Sequence, residues 1–289
     1  MFKDIKCQQS LLSINFLFLA IIFLLIFSPW LSISYTTNSI LTMLLAFLFM
    51  LIHGIIGWGV RNILVFLVIT WIFSFCSEAT GVATGAIFGR YHYTNHLGPK
   101  LLGVPFMIQV SYVAMGYSSL MTARLILGIK GTPKKSALFF STLIGAMLMV
   151  GWDLCLDPYE STVAGDWIWP QGGPYFGIGI QNYVGWFFTV FIFMFLYQLF
   201  ASYYPEKNPH NTCKAFWSQP LIYYAIMALS IILVPWVGGV SEPIASPENY
   251  SGALHDLIYS LSLITVFTMG TPCLIALAKL FTQENGQEK

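Results

Sequence analysis

The chain has 289 residues, of which 57% are hydrophobic and only 9% charged, and its formal net charge is +1. Soluble domains carry about 25% charged residues. That shortfall, with repeated apolar runs of about 20 residues, excludes a soluble globular protein and a basic nucleic-acid binder. It predicts an all-α polytopic membrane protein.

The opening MFKDIKCQQS and the apolar run behind it resemble a signal peptide. The run from Leu11 to Trp30 is long, however, and lacks a small-residue cleavage site, so it is read as a retained first span. Eight spans are predicted, at roughly 11–31, 40–58, 62–80, 104–126, 136–155, 182–203, 220–238 and 257–280. The third either runs on past Glu78 or breaks and re-enters. Residues 1–289 read as a single integral membrane domain, because no soluble portion is left over.

With the amino terminus inside, eleven of the thirteen basic residues fall on the inner side, and only Arg90 and Lys100 fall outside. That bias predicts a transmembrane helical bundle with both termini cytoplasmic, lying multi-pass in the inner (plasma) membrane. Eight of the twelve acids lie at the outer side: Glu78, Asp153, Asp157, Glu160, Asp166, Glu242, Glu248 and Asp256. Acids hardly influence topology, so their gathering has another cause. The inner connections LGIKGTPKKS and YYPEKNPHNTCKAFWSQP are plain connectors, and VGGVSEPIASPENYSGALHD is a loop-like outer one. The five cysteines are scattered without a C-x-x-C pair and imply no disulfide framework.

Two outer stretches hold the candidates for chemistry. The first is SEATGVATGAIFGRYHYTNHLGPKLLGVP, from Ser77 to Pro105. Gly81, Gly85 and Gly89 recur every four residues. On a helix they would form one flat face, for close helix packing or for a flat ligand. Arg90 defies the charge bias and calls for an acidic partner, Glu78 or a loop acid. His92 and His96 have the spacing of two metal ligands on one helix face. With five His in the chain there are too few for the several His boxes of a diiron membrane oxygenase, and no metal is assigned. In the fourth span Gln109, Tyr112, Gly116 and Ser119 share a stripe suited to a bundle interior.

The second stretch, GWDLCLDPYESTVAGDWIWPQGGPYFGIGIQNYVGW, carries four acids and no Lys or Arg. Asp153 and Asp157 lie one helical turn apart, on the last turn of the fifth span, where the helix dipole opposes them. Carboxylates in hydrocarbon are costly and tend to be functional. One protonated acid beside one carboxylate suits general acid and base work. The plainer alternative is that Asp157-Pro158 stops the helix and Asp153 bonds a neighbouring span. Trp152, Trp167, Trp169 and Trp186 form either an interfacial belt or the wall of a pocket that tolerates a cation. Asn182 caps the sixth helix or orients a water. Asp256 is placed to cap the eighth.

These two strings, in this order, resemble the carotenoid biosynthesis protein family, the membrane carotenoid hydratases of the bisanhydrobacterioruberin hydratase and γ-carotene hydroxylase types. The resemblance covers about residues 60–200, the expected site-forming core. It implies addition of water across the terminal double bond of an acyclic carotenoid end group, without a redox cofactor. Glu78, Gly81, Gly85, Gly89, Tyr91, Asp153, Asp157, Trp169, Asn182 and Trp186 fall on matching motif positions. Tyr112 departs from the pattern, which would place Trp there, and this bears on substrate choice. The candidate catalytic acids are therefore Asp153, Asp157 and Glu78. The candidate substrate-binding residues are Gly81, Gly85, Gly89, Tyr91, Gln109, Trp152, Trp169, Asn182 and Trp186. The expected partners are a carotenoid or related isoprenoid and membrane lipid, with no cofactor. Two other classes fit the same acids: a transporter or lipid-binding protein, and a metal-dependent membrane oxygenase using His92 and His96.

Overall fold

Apolar runs in a bilayer must satisfy their backbone groups internally, which leaves the helix as the natural conformation. In the computed structural model all eight runs are helical. The structure describes residues 12–27, 31–131, 133–207, 213–237, 250 and 252–282. The helices are α1 (Leu12–Phe27), α2 (Tyr35–Gly57), α3 (Val60–Thr84), α4 (Phe106–Leu127), α5 (Lys135–Tyr159), α6 (Ile180–Tyr203), α7 (Lys214–Val237), α8 (Leu254–Thr265) and α9 (Thr271–Thr282). A π-turn, Val266–Gly270, joins α8 to α9 in one rod. Six helices are long and apolar enough to cross a membrane. At about 1.5 Å per residue, the 23 residues of α2 reach roughly 35 Å, beyond a hydrocarbon core of about 30 Å. Most of the second and third inner and outer connections is described, but the amino-terminal stretch before Leu12 and most of the last outer connection lie outside the described residues.

The polar helix α4 is the axis of the bundle. Sixteen of its 22 residues are buried, and it packs against α2, α3, α5, α6, α7 and α9. Its Gln109, Tyr112, Ser118, Ser119, Thr122 and Arg124 would be costly against lipid, so the helix is held in the centre where other helices receive them. The stripe of Gln109, Tyr112, Gly116 and Ser119 faces that interior, as its spacing predicts. Large apolar side chains such as Leu64, Phe188 and Met147 lie exposed on the rim, which in a bilayer is the favourable face.

The inner end is locked by an ion pair. Arg124 is fully buried, and its Nη1 donates to both Glu206 oxygens at 2.9 and 2.8 Å. Tyr197 donates to the same carboxylate, and the guanidinium lies 5.2 Å from the Trp58 ring. The outer end is closed by two short antiparallel ladders. His92–Tyr93 pairs with Trp167–Ile168, and Lys100–Leu101 pairs with Val104–Pro105.

Three prolines lie inside helices, Pro158, Pro220 and Pro235, and the first two show how the helix is kept. Proline removes the hydrogen bond to the carbonyl four residues earlier, and at these two a side chain replaces it. The Phe216 carbonyl, freed by Pro220 in α7, is 2.9 Å from His53 Nε2. The Leu154 carbonyl, freed by Pro158, accepts from the Tyr175 hydroxyl at 2.9 Å. So Pro158 does not stop the fifth helix. The helix runs through Tyr159 into a π-turn, Glu160–Ala164, ended by Gly165 at φ 69°.

Several sequence expectations are corrected. Of the two courses open to the third span, α3 takes the first: it continues past Glu78 and ends at Thr84, with Gly85 as a left-handed cap at φ 72°. Gly81, Gly85 and Gly89 therefore do not share a helix face. His92 lies on a strand and His96 in the loop after it, so they are not one helical turn apart. Arg90 is exposed and pairs with no acid among the described residues. Ala253, not Asp256, caps α8, and Asp256 sits exposed in the first turn. Cys213 is disulfide-bonded, while Cys76, Cys155 and Cys273 carry free thiols.

Candidate active site

Helix spacing brings three acids to one face of α5. Asp153, Asp157 and Glu160 stand at i, i+4 and i+7, and all three are buried. The helix period sets Glu160, one of the four acids of the second stretch but not one of the candidate catalytic acids, on the same face. Asp166 follows after the π-turn, and Glu78 faces the set from α3. These five acids line one cavity of about 50 Å³, with Trp152, Trp167, Trp169, Trp186, Tyr91, Tyr93 and Asn182 among its walls. Among the described residues, no Lys or Arg lines it.

The first face of the cavity is a carboxylate held by phenols. Glu78 is 1% exposed. Its Oε2 accepts from Tyr91 and, at 2.8 Å, from Tyr93, and its Oε1 accepts from Tyr112 at 2.8 Å. Burial, and then the neighbouring Glu78 carboxylate, push the Tyr91 and Tyr93 phenols well above their ordinary range. Both stay protonated and act as donors. The loop reaches Glu78 because two glycines allow close approach. A Cβ on Gly81 would stand 2.7 Å from the Phe88 ring, and one on Gly185 of α6 would collide with the Ile87 carbonyl oxygen.

The second face is the aspartate pair. Asn182 Nδ2 donates to Asp157 Oδ2 at 2.8 Å and to Asp153 Oδ2 at 3.2 Å. Gly179, not Asn182, is the cap of α6, which leaves the Asn182 amide free to bridge the acids. Asp157 Oδ1 also accepts from the indole N–H groups of Trp167 at 2.5 Å and Trp169 at 3.4 Å. Asp157 thus receives three N–H donors, whereas Asp153 receives one. Trp186 stacks on Tyr112, with centroids 4.4 Å apart and planes within 8°. Trp152 meets Trp186 edge-on at 6.2 Å. The indoles are cavity walls rather than a belt facing lipid.

The third face runs toward the outer surface. Glu160 Oε1 accepts from Tyr35 at 2.6 Å. Asp166 is buried and lies 3.3 Å from Nδ1 of His96, whose side chain is 39% exposed. Burial raises the Asp166 pKa above the ordinary aspartate value, while hydrogen bonding to Glu160 and the charge of His96 pull it part of the way back.

The structure thus brings Glu78, Asp153, Asp157, Tyr91, Trp152, Trp169, Asn182 and Trp186 to one cavity. It does not bring Gly81, Gly85, Gly89 or Gln109 there. Gln109 is buried next to it and accepts from Ser74. Tyr93 and Trp167 hold the acids from positions that no spacing rule singles out, while Tyr112 does so from the interior stripe of α4. Among the described residues, no three His, Cys, Asp or Glu side chains are grouped to hold a metal ion.

A desolvated acidic cavity enclosed by the outer ends of bilayer-length helices defines an integral membrane protein with its polar site inside the bundle. The chain belongs to the carotenoid biosynthesis protein family, whose model matches residues 38–246. It is also similar to a bisanhydrobacterioruberin hydratase of Haloarcula japonica, at 33% identity over 151 residues. That match covers 51% of this chain and 49% of the relative, about half the length of each. No solved structure matches.

Proposed function

We propose that the protein is a hydratase that adds water across the terminal double bond of an acyclic carotenoid end group, giving a tertiary alcohol. The observation that carries this reading is the aspartate pair bridged by Asn182 in a cavity walled by indoles. Hydrating such an alkene begins with proton transfer to its less substituted carbon. Asp153, with a single N–H donor, is the better proton source, because a carboxyl left with free acceptor capacity loses least by holding a proton. Asp157 accepts three N–H bonds, an arrangement that favours the carboxylate.

The bond balance closes without another reactant. Asp153 gives its proton to carbon, and the π electrons form the new C–H bond. The tertiary cation faces the rings of Trp152, Trp169 and Trp186, whose quadrupoles attract it. Water adds to the cation and loses a proton to Asp157. Transfer of that proton from Asp157 to Asp153 restores the starting state. Glu78, held by three phenols, supplies negative charge opposite the pair and orients the water through Tyr91 and Tyr93. The family membership and the named activity of the relative support this reading.

The test is expression in a bacterium making lycopene or γ-carotene, with pigments analysed by mass spectrometry. The product should gain one water, and its oxygen should carry the label when cells grow in heavy-oxygen water. Asp153→Asn and Asp157→Asn should each lower the rate by about 10²-fold or more, the usual contribution of a general acid or base. Wild-type product from both amide variants sinks the assignment.

A further inference from the structure

Beside the acidic cavity lies a second, larger one of about 420 Å³, between α1, α2, α4, α5 and α7. It falls within the size range of small-molecule pockets, about 300–1,000 Å³. The two cavities share Met43, Ser111, Trp152, Leu156 and Glu160 as walls, so they lie side by side with only these side chains between them. Along α2 the chamber extends from Tyr35 to Ala46, roughly 16 Å at about 1.5 Å per residue. That is about half of a hydrocarbon core of roughly 30 Å. Its lipid side is formed by Ile22 on α1 and Leu229 and Leu233 on α7, which are between 37% and 51% exposed.

We propose that this chamber binds the linear isoprenoid chain of the substrate, which enters sideways from the bilayer between α1 and α7. Its terminal group passes Met43, Trp152 and Leu156 into the acidic cavity. This deepens the hydratase reading and rests on it for the fate of the end group. The chamber fits an apolar rod, because it extends along α2, is mostly hydrocarbon-walled and abuts the acidic cavity at one end. A water-soluble ligand would have to cross exposed leucine and isoleucine side chains to reach it. Asn38 Oδ1 and Thr42 Oγ1 on the α2 wall have no hydrogen-bond partner among the described residues. A tertiary alcohol withdrawing from the acids meets acceptors there.

The test separates chain binding from chemistry. Full-length protein is purified from lycopene-producing cells, and the polyene that stays with it is measured by visible absorbance per protein. Ser39→Phe and Ser230→Phe fill the chamber from half-buried positions. Each should cut retained polyene tenfold or more and still hydrate a ten-carbon acyclic alkene with the same end group within about threefold of wild type. Ser39→Ala and Ser230→Ala should retain polyene as wild type does, which controls for folding. Asp157→Asn should retain polyene and add no water. Equal retention and equal polyene hydration by the phenylalanine variants and wild type overturns the chamber assignment. A wild-type protein that holds the polyene in a serine-sensitive way but never hydrates it overturns the hydratase reading and leaves the chamber assignment standing.

Discussion

Asp157 takes three N–H donors and Asp153 one, while Asp166 sits buried with an exposed histidine beside it. At the scale of single residues these surroundings give each acid a different cost. Asp166 lies outside the helices and has its pKa raised, with burial as the largest cause. The unfolded chain holds it at the ordinary value near 3.8. Between that value and the raised one the folded state binds the extra proton, so stability falls as pH rises through this window. Asp166→Asn should therefore give a higher apparent Tm than wild type at neutral pH, and the advantage should vanish on acidification. The half-exposed His96 contact offers at most about 1 kcal/mol in the other direction. Melting curves in detergent across the acid range check both the sign and the pH dependence. The α5 acids were legible because helix period puts them on one face. The partners of Glu78 were not, since three phenols from a loop and another helix meet it only after folding.

At the scale of elements, hydropathy identifies helices well and their ends poorly. It finds every described helix, including polar α4, because Arg124 and the hydroxyl residues are diluted by apolar neighbours. It misses the continuation of α5 past Pro158. The rule that proline ends helices fails where a side chain such as Tyr175 takes up the freed carbonyl. It leaves the end of the third helix open, which Gly85 at positive φ decides by turning the chain into the outer loop. The inner lock between α4 and the end of α6 can be tested directly. Arg124→Met leaves the buried Glu206 carboxylate without its guanidinium and should destabilise the protein by about 3–5 kcal/mol. Adding Glu206→Gln should recover most of that loss, since neither the guanidinium nor the carboxylate then remains. Denaturant melts of the single and double variants measure the difference. Hydration by surviving folded protein should change little, because this lock stands at the opposite end of the bundle from the acids.

At the scale of the whole molecule the charges are sorted along the membrane normal. Among the described residues most basic ones gather at one end and all acids but Glu206 at the other, and five of those acids close on a single cavity that no described Lys or Arg lines. The sorting was legible from charge positions alone. The closure was not, because it depends on loops folding back over the bundle and on ladders such as Tyr93 with Trp167. An unbalanced enclosure of carboxylates and indole faces is a trap for positive charge. For the proposed hydration reaction this has a pharmacological consequence. An acyclic isoprenoid with a protonated tertiary amine in place of the carbon that becomes cationic should act as a competitive inhibitor, about 10²-fold or more stronger than the neutral alkene binds, as mimics of a reaction's high-energy state do. Its potency should collapse in Asp157→Asn, while an uncharged analogue of the same shape should be insensitive to that change. On the proposed mechanism, the cavity that would make the cation tolerable would also leave the protein open to poisoning by amines carried on a lipid tail.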